Sequence, residues 1–340
     1  MTISFERVPV SAVPFGELDR FADRTVHQTP EWLSFLAETQ RAEPVVLRLH
    51  RGVEELGWFT GAISRRAGVR ILGSPMRGWM TSHMGFNLVD DSQVDEATRT
   101  LADHAFGELG CWHVEVMDRR FAAGRGRPEG FASTPLHTLE VPLVADDELL
   151  GAMTSHGRRD VRKSLRTGVL IEEVEGEDPS FVEQYQALAT TVFAKRGRRP
   201  PHSAARVQAL VRHVHPAGRL LLLRARTPSG EVAAAGLFAG LPGGTAYFTL
   251  QASDPSQHRW YPNEAMVWEA MRRWRDRGAV RFDLGGRQPG SPTDFKRKFG
   301  GEPVTTEWVR RSRVGALEHA RSIAARAQRT IQSRPRLRPR

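Results

Sequence analysis

The chain has 340 residues, 40% of them hydrophobic, enough for two cores of ordinary size. No run of eighteen apolar residues spans a bilayer, MTISFERVPVSAV lacks a signal-peptide layout, and the single Cys111 excludes an internal disulfide or a cysteine-based zinc site, so a cytoplasmic protein is expected. Of the net charge of +10, residues 311–340 supply +8 through nine arginines and one glutamate, which leaves a near-neutral body that is no general polyanion binder.

Residues 1–30 read as a mixed strand–helix opening. Thr29-Pro30-Glu31 starts a short helix that puts Trp32, Phe35 and Leu36 on one face. Residues 45–50 and 56–63 read as strands joined by a turn around Gly52, and 69–73 as a third. The loop 74–83, SPMRGWMTSH, is rich in large side chains for a turn. Residues 93–109 form a helix ending at Gly110, followed by a strand over 111–117. Gly124, Gly126, Pro128 and Gly130 mark 119–131 as a flexible loop. A strand over 139–143 then leads to a boundary near 145–147.

The second half begins with DELLGAMTSHGRRDVRKSLRTG. Val161 and Leu165, four apart, should face inward, with Arg158, Arg159, Arg162, Lys163 and Arg166 on the other faces. A strand over 169–174, a helix over 181–193 and the basic loop 195–201 follow. Ser203 caps a helix reaching His215. Residues 220–225 and 232–241 are core strands, and Pro242-Gly243-Gly244 turns the chain into a hairpin.

The most informative stretch runs from Gly244 to Gly300. TAYFTLQAS alternates as a half-buried strand does. After a polar loop, Pro262 suits a first helical turn, and Val267, Ala270, Met271 and Trp274 line one apolar face. Gly278 stands where a C-terminal cap is wanted. Residues 280–284 enter the sheet, Gly285-Gly286 permits close approach, and SPTDFKRKF makes a short basic helix. The segment 105–118 echoes 272–285: both run helix, capping glycine, strand.

Together, YP before the helix, RG-x-x-x-FDLGG after it and FK-x-x-FG beyond resemble the Fem-type, or BioF2-like, branch of the GNAT acyltransferase superfamily. The R-x-x-V-R-K element at 158–163 belongs to the same pattern, so the resemblance covers about 145–310. It implies an α/β fold of two tandem GNAT-like domains, each a twisted mixed sheet flanked by helices. The division expected is 1–145, 146–310 and a basic helical or disordered tail, 311–340. It also implies transfer of an acyl or aminoacyl group onto an amine, with no permanently bound cofactor.

GNAT-type transfer holds an activated carbonyl between splayed strands, meets the oxyanion with a donor and removes a proton from the amine. The donor loop lies between Gln251 and Asn263. CoA-using members place glycines here to cradle the pyrophosphate, and QHRWYPNEA has none. That departure, with the Fem resemblance, favours aminoacyl-tRNA as donor and a peptidoglycan precursor or peptide-like amine as acceptor; acyl-CoA is the alternative.

The resemblance makes Lys296 the cation facing the acceptor and the esterified donor end; the plain alternative is a solvated basic helix. Lys298, two residues on, should point to the surface. Phe295 is a substrate contact or, four residues before Phe299, packing. Asp283 can accept from a substrate amine or bond its own loop. Glu264, in a first helical turn where a carboxylate is favoured anyway, is the other candidate base. Asp254, Trp260 and Tyr261 flank the pocket. Arg158, Arg159, Arg162 and Lys163 either clamp an acceptor diphosphate or cover a solvated helix.

The histidines form no metal site. Residues 314–331 are helix-compatible with an alanine-rich face, and RPRLRPR is disordered. The tail offers contact with RNA or a membrane surface, and a non-catalytic adaptor built on it is the reading from another class.

Overall fold

Helices begin where short polar side chains can cap them. Thr29 accepts from the Trp32 amide, Thr154 from Gly157, Asp178 from Ser180 and Ser203 from Arg206. The computed structural model describes residues 2–314 apart from 123, 125, 176–177, 196 and 287–290, so the expected tail helix and disordered end lie outside the described residues.

The first half holds β1 (Ser4–Val8), α1 (Phe15–Leu18), α2 (Pro30–Gln40), β2 (Glu43–Arg51), β3 (Glu54–Arg66), β4 (Val69–Ser74), β5 (Gly85–Leu88), α3 (Val94–Gly107), β6 (His113–Ala122) and β7 (Ala132–Pro142). The second holds α4 (Asp146–Ala152), α5 (Ser155–Arg166), β8 (Leu170–Glu173), α6 (Pro179–Ala194), α7 (Ala204–Val214), β9 (Leu220–Arg226), β10 (Val232–Ala239) and β11 (Thr245–Ser253). It closes with α8 (Pro262–Asp276), β12 (Arg281–Asp283), α9 (Ser291–Arg297) and β13 (Glu302–Ser312).

These strands form one mixed sheet in the order β1-β2-β3-β4-β6-β13-β7-β12-β11-β10-β9-β8, with β5 on β3. The echo between the halves is real. Each half has an antiparallel meander, then a helix, then a strand parallel to the meander's last member: β4 with β6, and β11 with β12. Glu115 and Asp283 hold corresponding places, beside Gly73 and Tyr247.

The halves also exchange strands. β7 leaves the first half to pair with β12, and β13 leaves the second to lie between β6 and β7. Two expectations change as a result. Residues 119–122 extend β6 rather than opening a flexible loop, and β13, absent from the sequence reading, runs to Ser312, past the expected start of the tail. The sheet is therefore continuous across the boundary expected near 145–147.

Three cores follow from the alternation. One buries α2, α6 and α7 of both halves against a shared face of the sheet. A second lies between α3 and the first-half strands. The third packs α5 and α8 beneath β9–β12, with Met266, Trp268 and Trp274 as large members. α5 is rotated from expectation: Val161 is buried, but Leu165 is 61% exposed, while Asp160 and Ser164 turn inward. A side chain at Gly157 would run into the Lys298 carbonyl oxygen, so this glycine is what lets α5 meet the turn after α9.

Candidate functional site

β11 and β12 pair only from Thr245 to Tyr247 on one strand and Arg281 to Asp283 on the other. Beyond this, β11 continues along β10 to Ser253, while the chain after β12 follows β7 through a bond from the Leu284 amide to the Leu139 carbonyl. The two strands thus part, and a gap opens past Asp283. A bulge at Thr249 marks its wall, since Phe248 and Leu250 of β11 face the adjacent Phe238 and Leu237 of β10.

The first half has the same topology without the gap. Where β4 and β6 part, the segment after the bulky loop lies along β6. The Met84 amide donates to the Met117 carbonyl, and the Phe86 amide to Asp118 Oδ2 at 2.6 Å. Gly85 allows this approach, because a Cβ there would strike the Asp118 carboxylate. Met76, Trp79 and Met84 are buried beside it. Among the described residues one splay is plugged and the other is not.

Lys296, on α9, enters the open splay. Its Nζ donates to the Gly286 carbonyl at 3.1 Å and stands 5.6 Å from the Phe248 ring centroid. Burial lowers its proton affinity, and the charge of Asp283 opposes that effect. Asp283 itself is 1% exposed. It accepts from Thr138 Oγ1 and from the Gly285 amide at 2.6 Å, while its Oδ2 has no partner among the described residues. Burial pushes its carboxyl up to about 6.

A polar row lies beneath. Tyr247, Asp283 and Glu140 are register neighbours on β11, β12 and β7. Arg119, from the first half, grips Glu140 through paired bonds of 2.6 and 2.7 Å. Burial raises the Tyr247 phenol, the nearby Arg119 guanidinium opposes that effect, and the Tyr247 ring meets His27 at a centroid distance of 4.5 Å. The sequence reading missed Arg119, Thr138, Glu140 and Tyr247. One signal was present: Glu140 is a carboxylate in an otherwise apolar strand, LEVPL.

The other expected residues separate into groups. Lys298 is not a surface charge; it donates to Asp160 at 2.8 Å and Glu264 at 3.1 Å, joining α9 to α5 and α8. Burial opposes its charge, but these two carboxylates hold its ammonium above the usual range. Glu264 is therefore bound by Lys298 at the root of α8. Phe295 packs on Phe299, with centroids 5.3 Å apart. Asp254 caps a 3-10 turn over Pro255–Trp260 by accepting from the Ser256 amide at 2.8 Å. Arg158 donates to the carbonyls of Gly151 and Met153 at 3.0 and 2.6 Å. Arg159 and Arg162 are exposed, and Lys163 Nζ approaches the Tyr261 hydroxyl at 3.4 Å. Trp260 and Tyr261 are half-buried beside them.

The state of Asp283 gives a signed expectation. Its folded value, about 6, exceeds its ordinary 3.8, so the folded chain holds this proton more tightly than the unfolded one. Stability from this group is complete below pH 3.8 and is lost as pH rises through about 6. Asp283→Asn keeps an acceptor for Thr138 and Gly285 and removes the desolvated charge. It should raise stability at pH 7.5 by at most about 3 kcal/mol, read as a higher melting temperature, and leave the melt unchanged at pH 3.5. A lower melt at pH 7.5 would make the carboxylate structural.

Among the described residues no group of three or more His, Cys, Asp or Glu side chains is placed to hold a metal, and no helix is long and apolar enough to cross a membrane.

Residues 155–297 match the family described as an acetyltransferase (GNAT) domain. No curated protein matches the sequence. Among solved structures the chain is similar to FemX, with a TM-score of 0.72 at 14% identity over 90% of this chain and 96% of that one. It is also similar to the C-terminal domain of a putative lysylphosphatidylglycerol synthetase from Agrobacterium fabrum, at TM-score 0.54 and 14% identity over 89% and 93%. A tandem GNAT protein from the clavulanic acid biosynthesis pathway gives TM-score 0.50 at 10% identity over 91% and 97%. At these identities the structural likeness shows the tandem GNAT fold.

Proposed function

We propose, from the premise that a GNAT acyltransferase domain occupies residues 155–297, that this enzyme moves an aminoacyl group from aminoacyl-tRNA onto an amine at the β11–β12 splay. The observation that carries the reading is Lys296 set across the open splay, above a buried Asp283, beside a donor loop closed into a helical turn without glycine. Likeness to FemX over nearly the whole chain, and to a lysylphosphatidylglycerol synthetase domain, supports an aminoacyl group rather than an acetyl one. With the Fem-type motif, it supports a peptidoglycan precursor or peptide-like amine as acceptor. The adaptor reading does not fit a chain with an acyltransferase domain.

In the step proposed, the acceptor nitrogen attacks the ester carbonyl and a C–N bond forms. Negative charge collects on the carbonyl oxygen, where the Lys296 ammonium and main-chain N–H groups near the β11 bulge would meet it. Collapse breaks the ester C–O bond, the amine proton departs toward Asp283, and a proton returned from there neutralises the leaving ribose oxygen. Ionised Asp283 favours the Lys296 ammonium despite its burial, so transfer should fall as pH drops through about 6.

The GNAT family match keeps acyl-CoA as the alternative donor. Charged tRNA and acetyl-CoA, offered with the same set of peptide-like amines, separate the two. Transfer from charged tRNA and none from acetyl-CoA is expected; the reverse result would replace the donor.

A further inference from the structure

Between Arg158 and Arg166, α5 has five cations and one acid, in a body whose charge is otherwise near balance. That acid, Asp160, is buried and bound by Lys298. Arg159, Arg162 and Arg166 form an exposed stripe about 10 Å long. Arg162 and Arg166 have no ion-pair partner among the described residues.

At the edge of the stripe the surface becomes aromatic. Lys163 Nζ lies 5.5 Å from the Tyr261 ring centroid, and the Arg259 guanidinium lies 5.2 Å from that of Trp260. Thr167 Oγ1 donates to the Trp260 carbonyl at 3.1 Å and ties this turn to α5. Both rings stand in the turn between β11 and α8, and Lys298, two residues past Lys296, reaches Glu264 in the first turn of α8 at 3.1 Å.

Cations that follow a backbone, leading onto rings that accept any base, are the two parts of a single-strand binding surface. We propose that α5 and the Trp260–Tyr261 turn seat the single-stranded 3′ end of the donor tRNA. Phosphates lie along Arg159, Arg162 and Arg166, and the terminal bases stack on the two rings, which delivers the esterified ribose to the splay. This inference rests on the donor reading above. A membrane surface fits less well: the rings are half-buried rather than projecting, and exposed Leu165 lies on the opposite edge of α5 from Lys163.

The probe is a short single-stranded RNA ending in CCA, with 2-aminopurine replacing the terminal adenine, titrated with full-length protein at several salt concentrations. The wild type should quench the terminal base. Trp260→Ala should weaken binding by about tenfold to a hundredfold and lose most of the quench. Arg162→Ala with Arg166→Ala should reduce the slope of log affinity against log salt by about 1.4. Melting curves of all variants should match the wild type. Equal binding by every variant would overturn the platform. So would capture of anionic vesicles that depends on Arg162 and Arg166 while RNA binding does not. Transfer from acetyl-CoA but not charged tRNA would overturn the donor reading instead, and the RNA titration separates the two failures.

Discussion

Lys296→Ala should lower single-turnover transfer by about 10²–10³ and leave the melting temperature unchanged. Carbonyl attack places charge on one oxygen, and a fixed donor in a site shielded from water is worth roughly 3–4 kcal/mol to that transition state. On the proposed reading Lys296 serves this step without holding the fold together: among the described residues its hydrogen bond is to the Gly286 carbonyl, and burial works against its charge. Its loss relieves a desolvated cation, so no stability penalty follows. Two neighbours on the same turn are controls. Arg297 is exposed, its guanidinium 3.6 Å from Asp294, and Arg297→Ala should change neither rate nor melt. Lys298 bridges two nearly buried carboxylates, so Lys298→Ala should lower stability by about 1–3 kcal/mol, discounted because its side chain is 28% exposed. A melt that drops for Lys296→Ala as it does for Lys298→Ala would make both lysines structural.

Ending the chain at Gly301 should abolish folding altogether. β13 pairs on one side with β6 and on the other with β7 over Glu302 to Arg310, so its removal strips hydrogen bonds from two interior strands. It also uncovers the core that Val309 completes, where that side chain is fully buried. Because β13 bridges the two exchanged strands, neither half keeps a complete sheet without it. A chain ending at Val314 retains the strand and is the control. Loss of a cooperative melt, with aggregation, is expected for the shorter chain only. A cooperative transition within a few degrees of the wild type would show that the strand exchange is dispensable.

Much of the second half was legible because its signals are local. Alternation in TAYFTLQAS, Pro262 at the helix start, Gly278 at its end and FK-x-x-FG all act within a few residues of themselves. β13 was not legible, since a strand with Glu, Thr and Arg at most positions declares itself only by its neighbours, and those lie more than 160 residues away in sequence. The same holds for Lys298: two positions from Lys296, it reads as surface until Asp160 and Glu264 arrive from other elements. Arg119 looked like loop because glycines follow it, yet it belongs to a strand and grips Glu140. Leu165 shows the opposite error: an apolar spacing of four suggested an inward face, and the close approach at Gly157 turned the helix. In each case a contact distant in sequence overrode a local pattern.

The claim that transfer occurs at the open β11–β12 splay meets its most direct test in a crystal structure with a stable conjugate of the acceptor amine and the donor's terminal nucleotide. The bond that mimics the new amide should lie between the β11 bulge and Lys296, with Nζ within hydrogen-bond distance of the carbonyl oxygen and the first-half plug undisturbed. Density for the conjugate elsewhere would contradict the claim. The clearest such place is the cavity of about 710 Å³ between Arg20, Asp91 and Arg120 in the first half.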